Sequence, residues 1–486
     1  MTKTIEALAG LCIQRNGTVR RSMNMGAVSL DAYVRMLAET VHRNNQISPL
    51  LPKEDFYEEA GRYAQSLLGE AAAGQIREAL ACGVICTADH HGAMYCSQSF
   101  QGDLLFSFLL KELAYGGTYV PILSAGQVEL ENATYARGIS AYTSAEEKQL
   151  FPLFPAKHSV QLASHAAPVD GGMIDRFRKR FVEKEDYQPL KNTLDGICRE
   201  IYGDPRVLGA PDFAVQTTAA GEILSHRLFA GDDGPVFAYL EIEEAVLPLL
   251  LKEMEDGSSL IRLFLTDPDM RRGLSKNRAS DGSALADHLF RCTDEKGRKI
   301  SLTLTPEGVL SGRDWNKEAV EIKADPGILT EMLITKKLLP GIFTTALILQ
   351  FERGITWMGG QFQSLYLPEW QSLLKELLTD AGLSSEGALI GSYDCTGYIS
   401  GPMFALYPGC GFSTTAGPVE MWMLKPSVEQ IRELIRKTSL RDSHLIGLSE
   451  MYFDLVLRNE REENWYRLIA EDLYSDFPAN RIEKEE

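Results

Sequence analysis

Cys82-Gly-Val-Ile-Cys-Thr-Ala-Asp-His-His-Gly92 runs from an apolar stretch straight into an acid, two imidazoles and a glycine. Gly83 to Ala88 has the length and composition of a buried strand, and Gly92 leaves the backbone free to turn. Asp89, His90 and His91 then stand at a strand end, where open α/β sheets place their ligands. A neutral imidazole binds divalent metals or moves protons near neutral pH, and a carboxylate orients it or shares the ion. Consecutive residues of an extended chain point to opposite faces, so one histidine is expected to face a site and the other to be structural. The competing reading makes Asp89 a turn cap and both histidines packing residues.

Downstream, Asp103 is read as the cap of a helix from Leu104 to Tyr115, apolar almost all round and therefore buried, with Gly116-Gly117 ending it. Tyr119-Val-Pro-Ile-Leu-Ser124 reads as a second strand, which makes residues 83–124 a βαβ-like unit with a parallel pair. Parallel neighbours share one carboxyl-terminal edge. The following Ala125-Gly-Gln-Val-Glu-Leu-Glu-Asn-Ala-Thr-Tyr-Ala-Arg-Gly138 is thereby expected near the histidines. In that reading Glu129 is the second carboxylate, Arg137 clamps an anionic substrate group, and Asn132 lies beside them. A polar hairpin with Arg137 on a surface acid is the alternative. Lys157, His158 and His165 fall in a proline-bounded loop segment from Pro152 to Pro168, and Lys157 is taken as a further substrate contact.

Upstream, the first eighty residues read as helical. Ser29 caps a run through Val41, and Pro52 opens another reaching about Ala81, both covering the sheet. Gly203-Asp-Pro-Arg-Val-Leu-Gly-Ala-Pro211 is the best linker, dividing the chain into residues 1–204 and 212–486, with a single large domain as the alternative. Beyond it, Pro235 to Ile242 reads as a strand. His288 to Cys292, Lys299 to Thr305 and Gly308 to Ser311 read as an antiparallel meander, with a turn at Asp294 to Gly297. The last third carries glycine-marked turns at Gly359-Gly-Gln-Phe-Gln363, Gly391 to Gly397 and Gly409 to Gly417. The expected class is mixed α/β, with α+β as the alternative. A helical N-terminal segment leads, and antiparallel strands occupy the middle and C-terminal parts.

Composition narrows the function classes. Lys and Arg total 49 against 67 Asp and Glu, a formal charge of −18 in 486 residues. Such a surface repels phosphate backbones and anionic lipids, so neither nucleic acid nor membrane is expected as a partner. The one compact basic run, Arg176-Phe-Arg-Lys-Arg180, is read as a solvated helix face, with phosphate binding the lesser alternative. Glu6 interrupts any secretory apolar run, and the closest approach to a membrane span, Leu338 to Phe351, is short and broken by Pro340. Eight scattered cysteines form no disulfide framework, which agrees with a reducing, cytoplasmic compartment.

Cys82, Cys86 and His90 recur every fourth residue, but the second ligand pair of a structural zinc site is absent. Cys410, in a glycine-rich turn, is a weaker nucleophile candidate. The Thr-Ala-Asp-His-His run is similar to a motif of the DHH phosphoesterases, yet their upstream aspartate-rich motif has no counterpart before Cys82. Paired histidines also occur in acyl-transferring condensation enzymes, whose aspartate and glycine after the pair are missing here.

The reading is thus an enzyme, a hydrolase or transferase, acting on a small polar or anionic metabolite. Its catalytic residues are His91, Asp89 and Glu129, and a divalent metal ion is held by Asp89, His90 and His91. The alternatives are a metal-free acyltransferase with His91 as general base, and a non-enzymatic binding or assembly protein.

Overall fold

The computed structural model describes residues 2–87, 90, 95–132, 137–142, 148–229, 234–409 and 412–483. Val84, Ile85 and Cys86 form β1 (Val84–Cys86), buried on both faces. Gly83 enters it at φ +80°, and a Cβ there would stand 2.2 Å from Asn45 Oδ1, so only glycine fits this turn. β2 (Tyr119–Ser124), β3 (Val236–Glu241), β4 (Thr356–Gly360) and β5 (Tyr398–Ser400) complete a five-stranded sheet in the order β5-β4-β1-β2-β3. Every pairing in it is parallel. The expected neighbours β1 and β2 are therefore paired, Cys86 opposite Ile122.

Alternation along the strands splits the apolar residues between two cores. Val84, Cys86, Val120, Ile122, Phe237, Tyr239 and Met358 face one core, against helices Leu30–Asn45, Ser97–Glu112 and Phe213–Leu228. Ile85, Leu123, Ala238, Leu240 and Trp357 face the other, against helices Glu54–Leu68, Glu70–Leu80, Ile242–Glu255 and Gln363–Asp380. A parallel sheet buried on both faces needs such near-continuous apolar strands. The chain is thus a mixed α/β protein.

Three further regions build on this frame. Phe290–Thr293, Lys299–Leu304 and Val309–Arg313 form the expected meander, Ala319–Lys323 continues it, and Leu338–Pro340 pairs with its first strand. Its inward residues Phe290, Ile300, Leu302 and Leu310 join the second core. Helices Lys3–Arg15, Leu440–Ile446 and Leu448–Leu455 pack a third core in which the two ends of the chain meet. The main sheet takes strands from both sides of residues 203–211, so that segment interrupts the sequence without dividing the sheet.

One local expectation is corrected. The helix between β1 and β2 begins at Ser97, not Leu104, and Asp103 lies inside it, fully buried. Asp103 Oδ2 accepts from the Tyr239 hydroxyl at 3.1 Å and Oδ1 from Cys86 Sγ at 3.6 Å. Ser97, Gln98, Ser99 and Gln101 are polar yet buried, and so carry no sign of a helix already under way. The segment Leu338 to Phe351 is a short strand followed by a buried helical turn. Among the described residues no helix is long and apolar enough to cross a membrane.

Candidate functional site

The chain proceeds outward from β1 through β2 to β3, then returns to lay β4 and β5 on the other side of β1. At such a reversal the connections leave in opposite directions and open a crevice at the carboxyl ends of the strands. A cavity of about 390 Å³ occupies this place, within the size range of small-molecule sites. Every strand supplies wall residues at or just beyond its end: Thr87 after β1, Ala125 and Gln127 after β2, Ile242 after β3, Gln361 and Gln363 after β4, and Ser400 of β5.

His90 is the member of the Asp-His-His turn that the structure describes, and it lines this cavity. Its backbone bridges in parallel register to Ala125, extending the β1–β2 pairing past the last strand residue. Burial pushes its imidazole down to about 4, so it is neutral at physiological pH. Asp89 and His91 lie outside the described residues, as does Cys410.

The lining also carries two cations. Arg291 donates to the carbonyls of Asp287 and Phe290, at 2.6 and 3.0 Å, and no carboxylate pairs with it among the described residues. Lys299 stands beside it in the lining, 3.7 Å from Glu129. Asp454 contributes a carboxylate from the helix Leu448–Leu455.

Three glutamines make the cavity more than a packing gap. Gln98 Oε1, Gln361 Nε2 and Gln363 Nε2 are buried, line it, and have no hydrogen-bond partner among the described residues. Buried amide atoms are nearly always satisfied, so unmatched ones turned to one cavity mark where a ligand or ordered water completes the bonding. Gln363 is fixed from its other end, where Oε1 accepts from Thr87 Oγ1 at 2.8 Å while the Trp357 indole donates to the same hydroxyl. A Cβ on Gly359 would stand 1.3 Å from Gln363 Oε1, which explains a glycine in that strand.

The other residues singled out in the sequence fall elsewhere. Glu129 reaches the cavity only through Lys299 and does not line it. Asn132 Nδ2 donates to the Glu129 carbonyl at 3.4 Å. Arg137 pairs with Glu131, donates to the Phe154 carbonyl at 3.1 Å and lines a different groove. Lys157 is exposed in a short 3₁₀ turn, and His158 bonds Gln161. His165 is taken up by Ser164, Thr293 and the Lys336 carbonyl. Cys82 and Cys86 both pack toward the first core, as expected of small apolar residues.

The wall residues that sequence reasoning passed over are Gln98, Arg291, Lys299, Gln361, Gln363 and Asp454. One signal was present: Gly359-Gly-Gln-Phe-Gln363 is a glycine-marked turn directly after an apolar strand, as is the turn after β1. No protein-family model matches the chain, and no match to it was found among curated proteins or solved structures.

Proposed function

We propose that this cavity is the active site of an enzyme that acts on a small polar or anionic metabolite by hydrolysis or group transfer. The observation that carries the reading is Arg291, without a carboxylate partner among the described residues, in one wall with Lys299, facing a cavity lined by unsatisfied glutamine amides and His90. A desolvated guanidinium and an ammonium hold a carboxylate or phosphate, and the glutamines fix its polar remainder. His90, with Asp89 and His91 on either side of it in the chain, supplies the proton-carrying or metal-binding group.

This chemistry takes one of two forms. In one, Asp89, His90 and His91 would hold a divalent ion, which would supply a Lewis acid for water or substrate. In the other, neutral His90 or His91 is a general base and no metal takes part. The neutral imidazole of His90 supports the second form as well as the first, since a metal ligand must also be unprotonated. A cytoplasmic setting, with no nucleic acid or membrane partner, belongs to the same reading. It is supported by the net charge of −18 and by the lack of disulfides among the described cysteines.

A panel of small carboxylates and phosphate esters, screened by thermal shift and then for turnover, tests the proposal. Ligands that raise the melting temperature of wild type are expected to lose that effect with Arg291→Ala. His90→Ala or His91→Ala is expected to abolish turnover while the fold is kept. Elemental analysis separates the forms: about one divalent ion per chain, lost in His91→Ala, supports metal catalysis. Ligand binding and turnover untouched by Arg291→Ala and by both histidine substitutions would remove the cavity from consideration.

A further inference from the structure

Helix Gly171–Phe177 runs on into a π-helical turn, Arg178–Val182, closed by the Glu183 amide donating to the Arg178 carbonyl at 2.9 Å. Residues three and four apart on a helix share a face, so Arg176, Lys179 and Arg180 stand together while Arg178 lies on the other side. Here the basic run is sorted by side. Arg178 is drawn away to Asp195 at 2.7 Å. Arg176, Lys179, Arg180 and Lys184 line one groove of about 600 Å³, and among the described residues none of the four is in an ion pair.

The facing wall is the end of the hairpin Gly138–Tyr142 and Lys148–Pro152 with the adjoining residues Leu153 to Ala156. Arg137 adds a further cation there, already matched by Glu131. The floor is apolar, with Met173, Phe177 and Phe181, and the Arg180 guanidinium lies 5.0 Å from the centre of the Phe181 ring. None of these residues lines the cavity at the strand ends.

We propose that this groove binds a small organic polyanion, a molecule with two or more phosphate-type charges attached to a flat apolar part. Unpaired cations side by side repel one another, and an anion between them relieves that repulsion. The protein as a whole carries −18, so an extended polyanion would lay most of its charge over an acidic surface. A compact anion experiences mainly the charges within a screening length of about 8 Å, which here is the cluster of cations. The groove volume is that of a small-molecule site, and the aromatic floor beneath the cations selects for a ring over a bare inorganic ion.

Calorimetric titration tests this with adenosine diphosphate as a ring-bearing polyanion and inorganic pyrophosphate as a ringless one. Wild type is expected to bind the nucleotide more tightly than pyrophosphate, and more weakly as salt rises. Arg176→Glu with Arg180→Glu is expected to weaken nucleotide binding by at least about tenfold, the size of one lost charge-assisted bond. Phe181→Ala is expected to weaken nucleotide binding and leave pyrophosphate unchanged. Arg178→Gln, on the same helix but turned to Asp195, is expected to leave both as in wild type. Absence of nucleotide binding, equal affinity for the two probes, or an equal loss with Arg178→Gln would each overturn the proposal. Preference for an acidic peptide over the nucleotide would overturn it too.

Discussion

His444 shows at the scale of one residue how burial fixes a charge state. It is fully buried, Nε2 meets the Tyr398 hydroxyl at 2.9 Å, and burial pushes its pKa down to about 4. In the unfolded chain the imidazole titrates at its ordinary value near 6.5. Between these values the unfolded chain carries a proton that the folded protein refuses. Stability is therefore full above about pH 6.5 and falls as pH drops toward 4, with a slope from this residue of up to about 1.4 kcal/mol per pH unit. Urea unfolding of wild type and His444→Gln across that range is expected to show the slope reduced by about this amount in the variant. An unchanged slope would mean that His444 is not buried as a neutral group.

At the scale of the element, the helix Ser97–Glu112 is tied to the sheet by polar bonds inside the core, and Asp103 is their centre. Removing its carboxylate takes a buried acceptor from the Tyr239 hydroxyl and the Cys86 thiol, so Asp103→Ala is expected to cost about 1–3 kcal/mol in denaturant unfolding. A double-mutant cycle with Tyr239→Phe distinguishes this placement from an exposed cap. A buried bond gives a coupling energy of about 0.5 kcal/mol or more, whereas residues far apart add independently. Zero coupling would restore Asp103 to the helix start that its sequence suggested.

Across the whole molecule, charge is also held between distant segments. Arg353, 1% exposed, donates to both Asp55 oxygens at 2.9 and 3.0 Å and lies 2.7 Å from Glu253, with Glu352 buried alongside. Burial pushes the carboxyls of Glu253 and Glu352 above their ordinary values, while Arg353 pulls them back. Arg353→Met leaves carboxylates uncompensated in the interior and is expected to cost about 3–5 kcal/mol at pH 7. Because these carboxyls bind protons more tightly folded than unfolded, part of that loss is expected to return as pH falls toward 5. Guanidinium unfolding at the two pH values checks it, and a cost that does not change with pH would contradict the account.

The sequence by itself determined the elements whose burial pattern is local. β1 and β2 were legible as apolar runs on either side of an apolar helix, the meander as short strands around an Asp-Glu-Lys-Gly turn, and α/β mixing followed from both. It also pointed to the Asp-His-His turn at the sheet edge, because a strand end followed by a turn is a local signal, and of that turn His90 lines the cavity. Tertiary structure decided what β1 sits beside. Its second neighbour is β4, far along the chain, and that return creates the reversal in strand order and with it the crevice. Gln98, Gln361, Arg291 and Asp454 reach the same cavity from separate segments, and no spacing links them. The basic run looked spread around a helix because Arg178 lies on the far side from Arg176, whereas Arg176, Lys179, Arg180 and Lys184, at helical spacing, line one groove with a wall that comes from another part of the chain. Periodicity records how a segment meets its own neighbours. Convergence of distant segments depends on how the layers pack, and a single chain of letters carries no period for that.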